Sequence, residues 1–144
     1  MGALTLEMMF KAAHAVVLVG WLALFFAPVR PSTLIATARL TSVLLAVAYT
    51  LLFVTSGKGA SVLIIDYTLN GIGVFFADPA FRLLGWVHYL AFDLWVGSWE
   101  VEEANRIGLP HGILLLSLVL TFLLGPVGLL NFILFRSLRL RAAG

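Results

Sequence analysis

The chain has 144 residues, of which 62% are hydrophobic and 11% charged, with nine Lys and Arg against seven Asp and Glu and a formal charge of +2. That 62% lies well beyond the roughly 45–50% apolar usage of soluble domains, and with a mean hydropathy of +1.08 the composition reads as a single integral membrane domain. With no cysteine, disulfides, thiolate metal sites, haem attachment and thiol catalysis are excluded. The basic residues lie beside apolar segments rather than in a patch, which excludes nucleic acid as a partner.

Four long apolar runs are predicted as membrane-spanning helices. The first covers about 8–27 and ends at Pro28-Val29-Arg30-Pro31-Ser32, where two prolines and a candidate N-cap serine separate it from the second, about 33–55. Glu7 precedes the first run, and Lys11 and His14 interrupt it, which argues against a cleaved signal peptide. Ser56-Gly57-Lys58-Gly59 forms a polar turn. The segment 60–76 carries Asp66, Asn70 and two glycines and ends at Asp78-Pro79, so it reads as a short interfacial or re-entrant helix. The third run covers about 80–99. The fourth covers about 110–135, with Pro110 suited to a first turn and Gly125-Pro126 predicting a kink.

Four crossings would put both termini on one side, together with Lys11, Lys58, Arg82, Arg136, Arg139 and Arg141. The opposite loops would hold Arg30 and Arg106 against Glu100, Glu102 and Glu103. The positive-inside rule then makes both termini cytoplasmic.

An aspartate near the centre of a bilayer costs roughly 2.5–3.5 kcal/mol on insertion scales, so Asp93 needs a reason to be there. Trp86, Asp93 and Glu100 recur every seven residues on one face of the third helix, with Tyr89 one turn from Asp93. Arg39, about five residues inside the second run, is expected at the depth of Asp93, and pairing with it suits a base better than an acid. A purely structural Arg39–Asp93 pair locking two helices together is the competing reading. His88 lies about 140° around the helix from Asp93, and the two face one interior only if the helix has neighbours on both sides. His14 shares a face with Glu7 and Trp21 on the first helix, at a depth comparable to His88. His111 falls on the opposite side with Glu100 and Glu103. Histidines split in this way do not converge as zinc ligands do, so no metal is expected. Trp21, Trp86, Trp95, Trp99, Tyr49, Tyr67 and Tyr89 suit an interfacial belt, and Trp86 and Tyr89 on the Asp93 side suit the wall of a site for an extended apolar ligand. Gly85, Gly97 and the Gly125-Pro126-Val127-Gly128 stretch permit close helix packing.

The run from Gly85 to Leu94, followed by Val96-Gly97-Ser98-Trp99-Glu100, Pro110-His111 and the stretch Leu120 to Leu130, resembles the abscisic-acid-deficiency-4-like membrane proteins, whose plant members are associated with neoxanthin synthesis. The block on the third helix is the specific part. The resemblance implies a carotenoid-related role: opening the violaxanthin epoxide to the allenic alcohol neoxanthin, an isomerisation that requires no cofactor. Such chemistry needs a base to take a polyene proton and an acid to protonate the epoxide oxygen. The chain starts directly at its first helix and ends just after the fourth, which fits a compact prokaryotic member in an inner membrane and leaves open violaxanthin or another polyene as its substrate.

The resulting expectation is an all-α polytopic membrane protein of four transmembrane helices plus a short interfacial helix, acting as an isomerase on a carotenoid or other polyene lipid. Its candidate catalytic residues are His88, Asp93, Arg39, Glu100 and His14. Trp86, Tyr89, Trp95, Trp99 and Tyr49 are the candidate substrate-binding residues. The competing function is a non-catalytic protein that holds a pigment or partner helices, and self-association into a homo-oligomer is compatible with both. A proton-translocating role is the weakest reading, because the ionisable residues do not form an obvious chain through the bilayer.

Overall fold

The computed structural model describes residues 2–57 and 64–143, and among them every regular element is helical. Helix α1 (Ala3–Phe25) is followed by a single 3₁₀ turn at Ala27–Val29, and α2 (Pro31–Thr55) runs back beside it. Pro31 opens α2 at the first helical position, where a missing N–H costs nothing, and Ser32 lies inside the helix without capping it. A short α3 (Leu69–Ala77) leads into the long α4 (Pro79–Ile107). Each has a side-chain cap: Thr68 accepts from the Gly71 N–H, and Asp78 accepts from the Ala80 N–H. The chain ends in α5 (His111–Leu124) and α6 (Pro126–Ala143).

Helices α1 and α2 are long and apolar enough to cross a membrane. Large apolar side chains such as Leu22, Leu40, Leu44, Leu51, Leu123 and Leu130 point outward from the bundle, a surface suited to hydrocarbon rather than water. Without water to drive association, close fit holds such helices together. A Cβ on Gly20 would run into the Leu94 side chain, and one on Gly97 would sit 2.9 Å from the Trp21 ring, so α1 and α4 approach at positions that only glycine permits. Gly97 therefore has the expected packing role, whereas Gly85 sits under the Phe76 ring of α3.

The structure departs from the four-span expectation in three ways. Helix α4 continues through Glu100, Glu102, Glu103 and Arg106, which were expected in a loop. It stops only where Gly108 turns left-handed at φ 64° and Leu109 N–H bonds back to Ala104 C=O, a glycine-dependent Schellman ending. The segment expected at 60–76 keeps the expected short helix, with no buried residue, but as nine residues that start only at Leu69. Its first part, 60–63, and Lys58 lie outside the described residues.

The third departure is the largest. The run expected as one kinked span over 110–135 is two helices folded back on each other. In a straight helix Ser117 and Asn131 would be about 21 Å apart, yet the Ser117 hydroxyl donates to Asn131 Oδ1 at 2.9 Å. Gly128 lies against the backbone of Thr121, leaving no room for a Cβ. Gly125, at φ 48°, makes the reversal in one residue, and Pro126 starts the return helix. Arg136 then reaches Glu103 near the end of α4, and the Arg139 guanidinium lies 3.6 Å from the point where a Gly108 Cβ would be. Since α1 begins beside the start of α4, where Leu6, Glu7 and Phe10 share a cavity wall with Pro79 and Arg82, the described ends of the chain lie at opposite ends of the bundle. The expectation that both termini share one side is corrected accordingly.

Two outcomes check this arrangement. Single cysteines placed at Asn105 and Ala142 in a membrane preparation should react with an impermeant thiol reagent from the same side, and one at Gly2 from the other. Gly128→Val should drive a side chain into the Thr121 backbone and separate the hairpin, lowering thermal stability by about 1–3 kcal/mol. A normally stable Gly128→Val protein would contradict the close contact.

Candidate functional site

Helix α4 is in contact with α1 and α2 on one part of its circumference and with the α5–α6 hairpin on another. Two carboxyl groups on α4 point at the hairpin. Glu100 has no exposed surface; its Oε1 accepts from the Thr121 hydroxyl at 2.9 Å, and its Oε2 has no partner. Two turns earlier, Asp93 lies against the hairpin tip, where a Cβ on Gly125 would be 3.2 Å from both carboxyl oxygens. Its Oδ2 is also buried without a partner, and Tyr89 lies one turn away on the same side of the helix. A buried polar group normally finds a hydrogen-bond partner, so two carboxyl oxygens without one mark this as a place built for something other than packing. Gly125 can sit here for two reasons: its positive φ suits glycine, and a side chain would crowd the carboxyl.

The hairpin turns back at the level of Asp93, so the start of α4 and the facing part of α1 form a separate aromatic wall. His14 has both ring nitrogens engaged: Nδ1 bonds to the Phe10 C=O at 2.8 Å, and Trp86 Nε1 donates to Nε2 at 3.0 Å. An accepting Nε2 places the proton on Nδ1. The His14 and Trp86 rings stack with centroids 5.7 Å apart, and Tyr89 follows Trp86 at 5.4 Å. Next to this wall is a cavity of about 340 Å³ lined by Leu6, Glu7, Phe10, Pro79, Arg82, Leu83 and Trp86. Arg82 is held at its rim by the Phe76 and Ala77 carbonyls.

Four of the expected site residues, Trp86, Tyr89, Asp93 and Glu100, follow one another along one stretch of α4, and His14 joins them through Trp86. The others lie elsewhere. Arg39 does not pair with Asp93: its guanidinium donates to both oxygens of Glu102, at 2.6 and 3.3 Å, and to the Ser98 hydroxyl at 3.3 Å. Glu102 is nine residues beyond Asp93, half a turn away around the helix, and therefore faces α2 rather than the hairpin. The depth estimate behind the expected pair assumed that α4 ends at Trp99. His88 is exposed, between Phe92 at 4.6 Å and Tyr49 at 6.0 Å, and it does not share an interior with Asp93. Trp95 lies under the Arg39 guanidinium at 5.5 Å, and Trp99 packs edge-on against Phe132 of α6. Thr121 and Gly125 were not expected at the site. The sequence signals for them were Gly125-Pro126 inside an apolar run and the place of both residues in the Leu120 to Leu130 stretch that carries the family resemblance.

Beyond the apolar run that ends at Trp99, Glu103 ties the open end of the hairpin to α4. It accepts two hydrogen bonds of 2.6 Å from Arg106 on its own helix and another from Arg136 on α6, with only 8% of its surface exposed. The hydrogen bonds from Arg106 and then Arg136 hold its carboxyl down to about 2. Among the described residues no group of three or more His, Cys, Asp or Glu converges in a way that would hold a metal ion.

Among the described residues the architecture is therefore that of an all-helical bundle with an apolar exterior, two helices suited to a membrane, and two carboxyl groups, Asp93 half-buried and Glu100 buried, against a helical hairpin. Residues 8–132 match the model of the ABA4-like (ABA DEFICIENT 4-like) family, and the chain belongs to it. No curated protein and no solved structure matches the chain.

The Glu103 cluster has a pH signature. A carboxyl whose folded value is depressed stabilises the fold above its ordinary value near 4.5, and that contribution is lost as the pH falls from about 4.5 to about 2. Thermal stability of the detergent-solubilised protein should fall over this window, and Glu103→Gln should remove this acid-sensitive component while lowering stability at neutral pH. An unchanged acid profile in Glu103→Gln would show that the cluster does not hold the hairpin.

Proposed function

We propose that the protein is a membrane-embedded isomerase of a carotenoid or related polyene lipid, with Asp93 and Glu100 as its acid–base pair. The observation that supports this reading most directly is the pair of carboxyl groups facing the hairpin, Glu100 buried and Asp93 half-buried, each with one buried oxygen that has no partner. The match to the ABA4-like family supports the substrate class through the plant members' association with neoxanthin synthesis. In this reading α1, α2 and α4 cross the bilayer, and the α5–α6 hairpin enters from one face and returns to it. Arg30, Arg106, Arg136, Arg139 and Arg141 gather at that face, against Lys11 and Arg82 among the described residues at the other. The positive-inside rule then makes the hairpin's open end cytoplasmic and places Gly2 across the membrane.

A polyene would enter from the lipid along the aromatic wall of Phe10, His14, Trp86 and Tyr89 and present its end group to Asp93. For an epoxide, one carboxylate takes the proton from the double-bond carbon next to the epoxide. The electron pair left behind forms a second, cumulated double bond as the adjacent carbon–oxygen bond breaks. A carboxylic acid gives a proton to the departing oxygen, which becomes a hydroxyl. One proton leaves carbon and one reaches oxygen, so the product is an isomer and nothing is oxidised or reduced. Asp93 and Glu100, about 10 Å apart along the helix axis, would serve the two ends of this transfer. Arg39 and His88, on other faces, have no part in it.

The test is chromatography of pigments from a carotenoid-producing host expressing the protein. Wild type should convert an epoxy-xanthophyll to a product of equal mass with an allene absorption in the infrared. Asp93→Asn and Glu100→Gln should each lower conversion about 100-fold or more, with the protein still inserted. His88→Gln should be unaffected. Pigment that copurifies with wild type and is never converted would replace this reading with that of a binding protein.

A further inference from the structure

We infer that the His14–Trp86 hydrogen bond is a proton-sensitive latch on the aromatic wall: neutral His14 holds the Trp86 ring in place, and protonation of His14 releases it. His14 is fixed at both ring nitrogens. Its Nδ1 donates to the Phe10 C=O at 2.8 Å, and its Nε2 accepts from Trp86 Nε1 at 3.0 Å. One tautomer alone satisfies both bonds, with the proton on Nδ1. A second proton turns Nε2 into a donor, so two N–H groups face each other and the bond is lost. That bond is the polar tie of the Trp86 side chain, whose residue is 41% exposed. Its other neighbours are ring contacts, with Phe10 at 6.1 Å and Tyr89 at 5.4 Å. An indole N–H without an acceptor is costly against hydrocarbon. The cavity of about 340 Å³ that Trp86 lines gives the released ring a place to move into.

Ionisable groups near the latch are few. On α1, Lys11 lies one turn and Glu7 two turns before His14, and the two pair with each other at 3.5 Å. On α4, Arg82 is held at the cavity rim by the Phe76 and Ala77 carbonyls. Asp93 lies two turns beyond Trp86, with Tyr89 between them. From Thr41 to Thr55, α2 carries no charged residue, and Tyr49 is its one ionisable side chain. With the latch closed, Trp86 stays in the wall beside an open cavity. With it open, the indole takes up part of that space, and the wall loses a side chain that a ligand would lie against. That the wall carries a polyene rests on the function proposed above, whereas the latch itself rests on the two hydrogen bonds of His14.

The direct readout is the indole N–H resonance of Trp86 in isotope-labelled, detergent-solubilised protein, assigned through its loss in Trp86→Phe and followed from about pH 8 to about pH 5. In the wild type it should move upfield with acid, as a hydrogen-bonded proton becomes free. His88→Gln and His111→Gln should show the same movement. In His14→Gln the resonance should stay fixed, because the amide oxygen accepts from the indole at every pH. Quenching of tryptophan emission by retinol, a conjugated polyene alcohol, should show binding that weakens about tenfold over the same range, the scale of one net hydrogen bond. In His14→Gln and Trp86→Phe that binding should not vary with pH. A Trp86 resonance that stays fixed in the wild type, or one that still moves in His14→Gln, would overturn the latch. A resonance that moves as expected with no retinol bound at any pH would uphold the latch and overturn the polyene reading of the wall.

Discussion

The architecture depends on a backbone reversal in the apolar interior. Gly125 takes a positive φ, Pro126 starts a new helix without needing an N–H, and Gly128 lets the returning helix touch the backbone of Thr121. Gly125 itself is buried against Asp93 of α4, while Leu124, Pro126 and Val127 beside it are exposed. Without the reversal, the last 34 residues would cross the bundle as one long helix, Arg136 would lie far from Glu103, and nothing would close over Glu100.

The hairpin and the carboxyl groups explain each other. The turn places Gly125 on Asp93 and the Thr121 hydroxyl on Glu100, while α1 closes the remaining side through Trp21 and Phe122, whose rings meet at 5.3 Å. At the other end Glu103 draws one arginine from α4 and one from α6. Hydrogen bonds therefore tie the hairpin to α4 one turn from its tip, at Thr121, and at its open end, at Arg136, and apolar contacts fill the space between. In a bundle whose exterior is apolar, these few polar contacts set the register of the hairpin, because a slip of one residue would leave a buried carboxyl or arginine without its partner.

Much of the site could be read from spacing alone. The recurrence of Trp86, Asp93 and Glu100 every seven residues placed them on one helical face, and the structure keeps them there, with Tyr89 between. The Arg39 pairing failed because it rested on an assumed end of α4. Glu, Ala and Arg favour helix, so the helix ran on to the glycine that could stop it, and Glu102 rather than Asp93 arrived beside Arg39. His88 was placed inside on the assumption that every ionisable group in an apolar helix faces inward, whereas among the described residues its ring is exposed.

The amino-acid sequence by itself determined the helical class, the apolar exterior, the first two helices and the shared face of the α4 residues, because composition and helical periodicity are local properties. Tertiary structure alone decided that Gly125-Pro126 is a reversal rather than a kink, that the described ends of the chain lie at opposite ends of the bundle, and which arginine meets which carboxylate. A glycine before a proline permits either outcome. The choice comes from the fit of Gly128 against Thr121 and of both helices against α4, contacts between segments whose partners no local pattern specifies.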